Sequence, residues 1–283
     1  MAIMLSSLRA NLTQQQKARI KYSIAILSTT NLKSIVATKK FTFSYKVLFQ
    51  KLRPVVTNME LLRVGGNLDG SYLVPRSQYA YDGVVSPGVG QTFEFESEIM
   101  GNECRVVLID GTVDEPVNLP KNFIFLSKML GTSSDLKDSF ISLKSVTKDY
   151  FPLANSLVLQ MDIEGGEYGV LNSLEADALA PYSLVLVEFH QFHKLQESRL
   201  WNSAIEGAIK ALEKDFLLVH THPNNAGGFF VWKFRKMPKV VETTWVKKSK
   251  VSAVHGFAKL PHPLDRRNDT MIEDLAFPAF QNL

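Results

Sequence analysis

The stretch that decides the fold is an apolar strand ending in a cluster of acids, Leu157-Val-Leu-Gln-Met-Asp-Ile-Glu-Gly-Gly-Glu-Tyr168. The nearly continuous apolar run over Ser156–Asp162 predicts a strand buried on both faces of a parallel sheet. Three acids stand at or just after its carboxyl end, beside two glycines: Asp162, Glu164 and Glu167. A turn at the positive N-terminus of a helix accounts for one acid but not for three. This edge of the sheet is therefore the first candidate for a functional site.

Other apolar runs of strand length lie on either side of this stretch, with helices or turns between them. The predicted strands are Asp82–Ser86, Cys104–Asp110, Asn122–Leu126, Ser183–Phe189, Phe216–Thr221 and Gly228–Phe234. The predicted helices are Phe93–Met100, Val146–Phe151, Tyr168–Ala176 and Leu200–Asp215. Alternation of strands and helices predicts an α/β fold with a mostly parallel, seven-stranded sheet. The short loop between the last two runs predicts an antiparallel final hairpin, the arrangement of the Rossmann-like methyltransferases.

Composition excludes several classes of protein. The chain has 283 residues, 45% hydrophobic and 21% charged, which are globular values and exclude a disordered chain. The single cysteine, Cys104, excludes a disulfide framework and any multi-cysteine metal site. No apolar run reaches the ~18 residues that a membrane span needs, so we expect no transmembrane segment.

Charge divides the chain into a basic N-terminal extension, residues 1–59, and a mildly acidic domain, residues 60–283. The extension contains ten of the 32 Lys and Arg residues and none of the 28 acids. We interpret it as helical, with one helix beginning at Asn11 or Thr13 and a second between Ile35 and Phe49. Three roles stay open: an ordered cap, a contact with anionic lipid, polysaccharide or nucleic acid, and an organelle transit peptide. We expect a cytoplasmic protein, with peripheral membrane attachment or organelle targeting as alternatives.

A glycine turn follows the strand Asp82–Ser86 and precedes a helix. Gly88 and Gly90 lack the Cβ atoms that would keep a cofactor away from the backbone, although a plain turn also explains them. Asp110 ends the next strand, 20 residues after Gly90, where an acid accepts the hydroxyls of a ribose. The turn lacks the complete dinucleotide fingerprint. It therefore favours S-adenosylmethionine, a nucleoside without phosphate, over NAD.

The sequence resembles the FkbM-type S-adenosylmethionine-dependent methyltransferases over about residues 60–275. The matching segments, in family order, are Arg63–Tyr72, Val85–Gly90 with Thr92–Glu94, Met161–Tyr168, Val187–His190, His220–Asn225, Val241–Trp245 and Leu260–Asp265. The resemblance implies a class I methyltransferase fold and methyl transfer to a hydroxyl of a sugar, glycan or natural product. It implies cofactor contacts from Gly88, Gly90, Glu94, Asp110 and Asp162. The chain departs from the family pattern at Pro87 and in a shortened turn before Thr92.

Methylation of an alcohol needs a base to remove the hydroxyl proton or a divalent metal to lower its pKa. His190 follows the predicted fifth strand, and Glu188 takes the same side of that strand. The candidate catalytic residues are His190, Glu164, Asp162 and His222, with His193 as a weaker alternative to His190. A metal, if one is used, has Asp162, Glu188 and His190 as candidate ligands.

Two other features have both a structural and a functional interpretation. The strand with Phe230, Trp232 and Phe234 on one face is typical of core packing, with a stacking platform for a sugar or base as the alternative. The loop Pro223-Asn-Asn225 is interpreted as a turn or as a polar lip that holds the acceptor.

Three functions remain open on these residues. The first is methylation of a small-molecule or glycan hydroxyl. The second is methylation of nucleic acid, with the basic extension as an anchor. The third is a non-catalytic nucleoside-binding scaffold.

Overall fold

A seven-stranded sheet forms the centre of the computed structural model, which describes residues 43–67, 69–76, 81–100, 104–132 and 139–278. We number its strands in chain order: β1 Gly83–Pro87, β2 Arg105–Ile109, β3 Phe123–Leu126, β4 Leu157–Met161, β5 Tyr182–Phe189, β6 Phe216–Pro223 and β7 Val241–Lys247. Six of these strands coincide with predicted ones to within about two residues, an ordinary uncertainty at strand ends.

The strands lie in the order β3-β2-β1-β4-β5-β7-β6. Strands β1 to β5 pair in parallel, and β7 pairs antiparallel with both β5 and β6. The predicted mostly parallel, seven-stranded sheet is therefore confirmed. The strand order reverses between β1 and β4, and in open α/β sheets ligands bind in the crevice at that switch point.

The prediction for the last strand was wrong. Gly228–Phe234 is not part of the sheet, because Phe229–Trp232 pairs with Arg235–Pro238 in a separate hairpin. Lys233 and Phe234 reverse the chain between these two short strands, with φ angles of 46° and 64°. The chain then re-enters the sheet as β7.

Within the described residues, five α-helices and three further strand pairs surround the sheet. The helices are α1 Tyr45–Lys51, α2 Glu94–Met100, α3 Leu143–Tyr150, α4 Glu167–Asn172 and α5 Arg199–Asp215, with short 3-10 turns at Phe192–Gln196 and Lys248–Lys250. The antiparallel pairs are Val55–Thr57 with Val254–Phe257 and Leu61–Val64 with Tyr72–Pro75, and Met129–Gly131 pairs in parallel with Phe140–Ser142. All four predicted helices are present with shifted ends.

Alternating strand side chains build a core on each face of the sheet. Val85 and Leu159 face the side covered by α1, α3, α4 and α5. Val84 and Val158 face the side covered by α2 and the pair Leu61–Val64/Tyr72–Pro75. Both faces are thus covered, which is why these strands have nearly continuous apolar sequences.

The end of the basic extension packs into the first of these cores. Leu48 and Phe49 have no exposed surface, and the ring of Phe49 contacts the rings of Phe192 and Phe277. Asn202 accepts a hydrogen bond from the backbone N–H of Phe43 and donates one to its carbonyl. The segment Phe43–Phe49 therefore packs against the rest of the domain. The division at residue 59 stays a prediction, and the predicted helix beginning at Asn11 or Thr13 lies outside the described residues.

None of the helices in the described ranges combines the length and the apolar character that a membrane crossing requires.

We expect Phe49→Ala to lower the free energy of unfolding by about 3–5 kcal/mol, because it opens a cavity in a closed core. The adjacent, exposed Gln50→Ala is the control and should have little effect. Urea denaturation of both variants measures the difference. Equal stabilities would show that α1 does not belong to the cooperative core.

Candidate active site

The carboxyl ends of β1, β2, β4 and β5 open into one cleft of about 850 Å³. Its size is within the range of small-molecule and cofactor sites. It is lined by eight residues that the sequence singled out: Gly88, Gly90, Glu94, Asp110, Asp162, Glu164, Glu188 and His190. These residues are far apart in the chain, and the parallel sheet brings them together because its strands end at the same edge.

The two glycines of the turn after β1 have different reasons to be glycine. Gly88 has φ 89°, and a Cβ there would lie 1.6 Å from the carbonyl oxygen of Asp162. Close packing of the turn against the end of β4 therefore requires Gly88. Gly90 has φ 61°, a conformation that favours glycine, while a Cβ there would meet no atom within 4 Å, so its backbone borders open space in the cleft.

Asp110 holds the glycine turn in place. Its Oδ2 accepts a hydrogen bond from the backbone N–H of Gly90 at 3.0 Å. Its Oδ1 accepts two more from Thr112, from the backbone N–H at 2.8 Å and from Oγ1 at 2.6 Å. A carboxylate has about four acceptor sites, so Asp110 retains capacity for a ligand hydroxyl. Contact with a ribose stays a prediction.

Four carboxylates surround the imidazole of His190. Nδ1 lies 2.7 Å from Oε1 of Glu167, which is fully buried at the start of α4. Nε2 points toward the cleft, at 3.3 Å from Glu164, 3.5 Å from Glu188 and 3.6 Å from Asp162. One imidazole thus connects the acids of the β4 end to β5.

Charge and burial shift the pKa values of these groups. Burial disfavours protonation of His190, but the charges of Glu167, Glu188 and Asp162 outweigh it and raise its pKa well above the usual value. Burial raises the pKa of Asp162 to about 7, although the charge of His190 opposes this shift. Burial, together with the charge of Asp162, also raises the pKa of Glu188 well above its usual value. Additional positive charge at the site would favour the ionised forms of Asp162 and Glu188.

Asp162, Glu188 and His190 each offer a ligand atom, and these atoms lie within 4.8 Å of one another. Oδ1 of Asp162 is buried and has no hydrogen-bond partner among the described residues. Buried carboxylate oxygens are normally satisfied, so this atom is suited to a ligand outside the chain. Oxygen and imidazole ligands fit Mg²⁺, Mn²⁺ or Zn²⁺.

A second group of acids shares Glu188 and was missed by the sequence analysis. Asp69, Glu188 and Glu242 offer ligand atoms within 4.8 Å of one another. The side-chain amide of Asn224 lies 3.2 Å, 3.0 Å and 3.4 Å from their oxygens. Asn268 donates to both Asp69 and Glu242. These amide hydrogen bonds satisfy the carboxylate oxygens of the second group, and burial raises the pKa of Glu242 to about 7.

His222 and Asn225, which the sequence analysis considered for the site, lie outside the cleft lining. His222 is not among the cleft-lining residues; it is 5% exposed, with Nδ1 3.7 Å from Asp265 of the C-terminal segment. The C-terminal segment covers that side of β6, and a catalytic role for His222 stays a prediction. Asn225 also bonds that segment, through Asp269 and Ile272, whereas Asn224 lines the cleft.

His193 does line the cleft, although the sequence analysis rated it below His190. Burial lowers the pKa of His193, with Lys239 and Lys194 acting in the same direction against the charge of Glu197. Its imidazole is therefore neutral at pH 7, unlike that of His190.

A buried chain of hydrogen bonds forms part of the cleft lining. Oγ of Ser86 lies 2.5 Å from Glu96 and 2.7 Å from Oε1 of Gln160, whose amide donates to the hydroxyl of Tyr72. A serine hydroxyl has only one proton, so only one of the two acceptors can receive it. Burial raises the pKa of Glu96 to about 7, against the hydrogen bond from Ser86. If Glu96 is protonated and donates to Oγ of Ser86, the Ser86 proton is left for Oε1 of Gln160. Each hydrogen bond in the series then has one donor and one acceptor.

Comparisons with known proteins add little. No protein-family model and no curated sequence matches the chain. One similar solved structure is a Clostridium thermocellum protein assigned as an rRNA methylase, with 11% identity, coverage of 59% of this chain and 86% of that chain, and a TM-score of 0.35. A similarity this weak carries no argument. The strand order and the antiparallel β7 are consistent with a Rossmann-like methyltransferase fold, and the FkbM resemblance rests on the sequence motifs alone.

Glu96→Gln tests the protonated carboxyl. Because folding raises the pKa of Glu96 above its usual 4.5, its contribution to stability is greatest at low pH and falls as pH rises toward 7. The variant mimics the protonated form. We expect it to match the parent near about pH 5 and to be more stable near about pH 8, by up to about 3 kcal/mol.

Urea unfolding at the two pH values measures this difference, and Glu94→Gln, at an exposed position of the same helix, is the control. A variant that is less stable than the parent at both pH values would show that Glu96 is ionised in the folded protein.

Proposed function

We propose that the chain is an S-adenosylmethionine-dependent methyltransferase of the FkbM type that methylates a hydroxyl of a sugar, glycan or small natural product. One observation carries the proposal. The glycine turn, the acid after β2 and the acids after β4 line a single cleft at the switch point of the sheet.

The cofactor would be held on the β1–β2 side of the cleft. Gly90 leaves the backbone open there, Asp110 has acceptor capacity beside it, and Glu94 lines the same side. S-adenosylmethionine supplies an electrophilic methyl group when bound. The β5 side, with His190, His193 and Asn224, would then receive the acceptor.

The geometry favours His190 as a metal ligand over His190 as a base. The charges of Glu167, Glu188 and Asp162 raise the pKa of His190, which makes it a poor proton acceptor. Binding of a metal at Nε2 would release that proton and place a divalent charge among the same acids. As a metal ligand, His190 would donate a hydrogen bond from Nδ1 to Glu167, and this contact orients Nε2 toward the cleft. Asp162, Glu188 and His190 would hold the metal, and a divalent metal lowers the pKa of a bound hydroxyl.

The neutral His193 is the better candidate for the base that removes the hydroxyl proton. It lines the cleft on the 3-10 turn after β5, and burial, helped by the charges of Lys239 and Lys194, lowers its pKa. A general base of this kind typically contributes 10²–10⁴-fold to turnover.

Asp110→Ala tests the cofactor site. Loss of a charged hydrogen bond to a ribose hydroxyl should weaken binding of the demethylated cofactor S-adenosylhomocysteine by roughly 10–150-fold in calorimetry. Because Asp110 also holds Gly90, the 2′-deoxy form of the ligand is titrated in parallel.

If Asp110 contacts the ribose, the parent binds S-adenosylhomocysteine more tightly than its 2′-deoxy form, and Asp110→Ala binds the two ligands equally. A weaker affinity with the preference intact would mean that Asp110 acts through the turn alone. Asp114→Ala, at an exposed acid just beyond Thr112, is the control.

Calorimetric titration with Mn²⁺ tests the metal site without any acceptor. We expect the parent to bind Mn²⁺, His190→Ala to lose binding, and Glu167→Gln to bind about 10–100-fold more weakly because the orienting contact is lost. His255→Ala, at an exposed histidine, should bind as the parent does. No Mn²⁺ binding by the parent, together with activity that survives chelation, would exclude the ligand role.

His193→Gln separates the base from the metal ligand. On an acceptor found by screening sugars and glycans, it should keep affinity for Mn²⁺ and cofactor but lose 10²–10⁴-fold in turnover. If this variant keeps the turnover of the parent, His193 is not the base, and His190 becomes the candidate again.

A further inference from the structure

The hairpin Phe229–Pro238 has one face on the domain and one face in solvent. On the inner face, Phe230 and Trp232 contact the ring of Tyr45, with centroids 4.9 Å and 5.5 Å apart. On the outer side, Phe229 is 44% exposed, Val231 is 65% exposed, and Phe234 at the tip is fully exposed. The sequence analysis grouped Phe234 with the packed rings, but the turn at Lys233 and Phe234 carries it away from them.

The tip residues are unusual for their backbone conformation. Lys233 and Phe234 both have positive φ, as the two-residue turn of a β-hairpin requires, and Asn-Gly is the preferred pair there. A phenylalanine in this region of φ is costly. Phe234 packs against nothing in the described part of the chain, so its presence gives no stability to the fold in return. A contact with something outside the chain would explain it.

Positive charge surrounds the exposed apolar groups. Lys233, Arg235 and Lys236 are all exposed at the tip. Lys236 pairs with Glu273 at 3.0 Å, but an ion pair this exposed holds its partners weakly. Residues 1–42 contain seven Lys and Arg and no acid, and they join the described chain at Phe43, two residues from Tyr45. Phe43, where the described residues begin, therefore lies close to the inner face of the hairpin.

We propose that the hairpin Phe229–Pro238 docks the protein on an anionic membrane surface, with Phe234 and Val231 in the interface and the lysines and arginine against lipid headgroups. Exposed apolar groups flanked by basic side chains are the combination that interfacial binding uses. Nucleic acid is the less suitable partner, because base stacking needs aromatic faces. Val231 has none and the ring of Phe229 is covered by Lys236, so Phe234 alone among the exposed apolar groups of the hairpin offers an open ring.

The hairpin stands on the rim of the cleft. Gly227 precedes its first strand, Lys239 follows its second, and both line the cleft. A docked hairpin therefore holds this rim beside the headgroups, where an acceptor in the membrane could enter. The inference rests on the outer face of the hairpin and does not depend on the proposed methyl transfer.

Sedimentation with lipid vesicles tests the proposal with the full chain. We expect binding to vesicles of equal parts phosphatidylcholine and phosphatidylglycerol, and much weaker binding to phosphatidylcholine alone. The double variant Lys233→Asn with Phe234→Gly should bind the anionic vesicles at least about tenfold more weakly. Its Asn-Gly turn suits the backbone, so its stability in urea should equal or exceed that of the parent.

Leu153→Ser is the matched control, since Leu153 is 90% exposed in a loop outside the hairpin, and it should bind as the parent does. Parental vesicle binding by the double variant would overturn the proposal and assign the interaction to the basic extension. Failure of the parent to bind anionic vesicles would also overturn it, as would salt-sensitive binding to RNA in place of vesicles.

Discussion

The close approach of the β1 turn to the end of β4 is the constraint on which the rest of the site depends. At Gly88 the backbone passes so near the carbonyl of Asp162 that no side chain fits. The backbone N–H of Asp162 in turn donates to the carbonyl of Pro87. This contact sits where the strand order reverses, and it sets the glycine turn beside the acids of the β4 end. A larger residue at position 88 would separate the two halves of the cleft before it affected any ligand directly.

Electrostatics then follows from topology. Parallel strands end at one edge, so acids that follow several strands must share a small volume. Around His190, repulsion between the acids is reduced because the pKa values of His190, Asp162 and Glu188 are all raised. Around Glu242, the side-chain amides of Asn224 and Asn268 donate hydrogen bonds to the carboxylate. Only the first arrangement faces the cleft with an unsatisfied carboxylate oxygen, and this difference separates a candidate ligand site from a structural cluster.

The sequence predicts those parts of the fold that local pattern determines. Apolar runs located six of the seven sheet strands, and spacing along the chain placed Asp110 and Asp162 in one cleft. Strand β7 was missed because its β-branched residues were interpreted only as a family motif, while the aromatic run 229–234 has the stronger strand pattern. The acids Asp69 and Glu242 were missed because segments far apart in the chain bring them to Glu188. Spacing along the chain does not predict contacts between distant segments. For the same reason, the sequence did not predict that the C-terminal segment covers His222.

Glu188 links the two acid groups, and through it the site is connected to the hairpin. Its Oε1 lies 3.5 Å from Nε2 of His190 and 3.0 Å from the amide of Asn224. Asn224 uses its own Oδ1 to accept the backbone N–H of Gly227, the residue before Gly228 and the hairpin. The charge balance at His190 therefore bears on the loop that supports the hairpin base. A cation held by Glu188 and His190 would compete with Asn224 for the same carboxylate oxygen, and Asn224 is the residue that holds the loop before the hairpin.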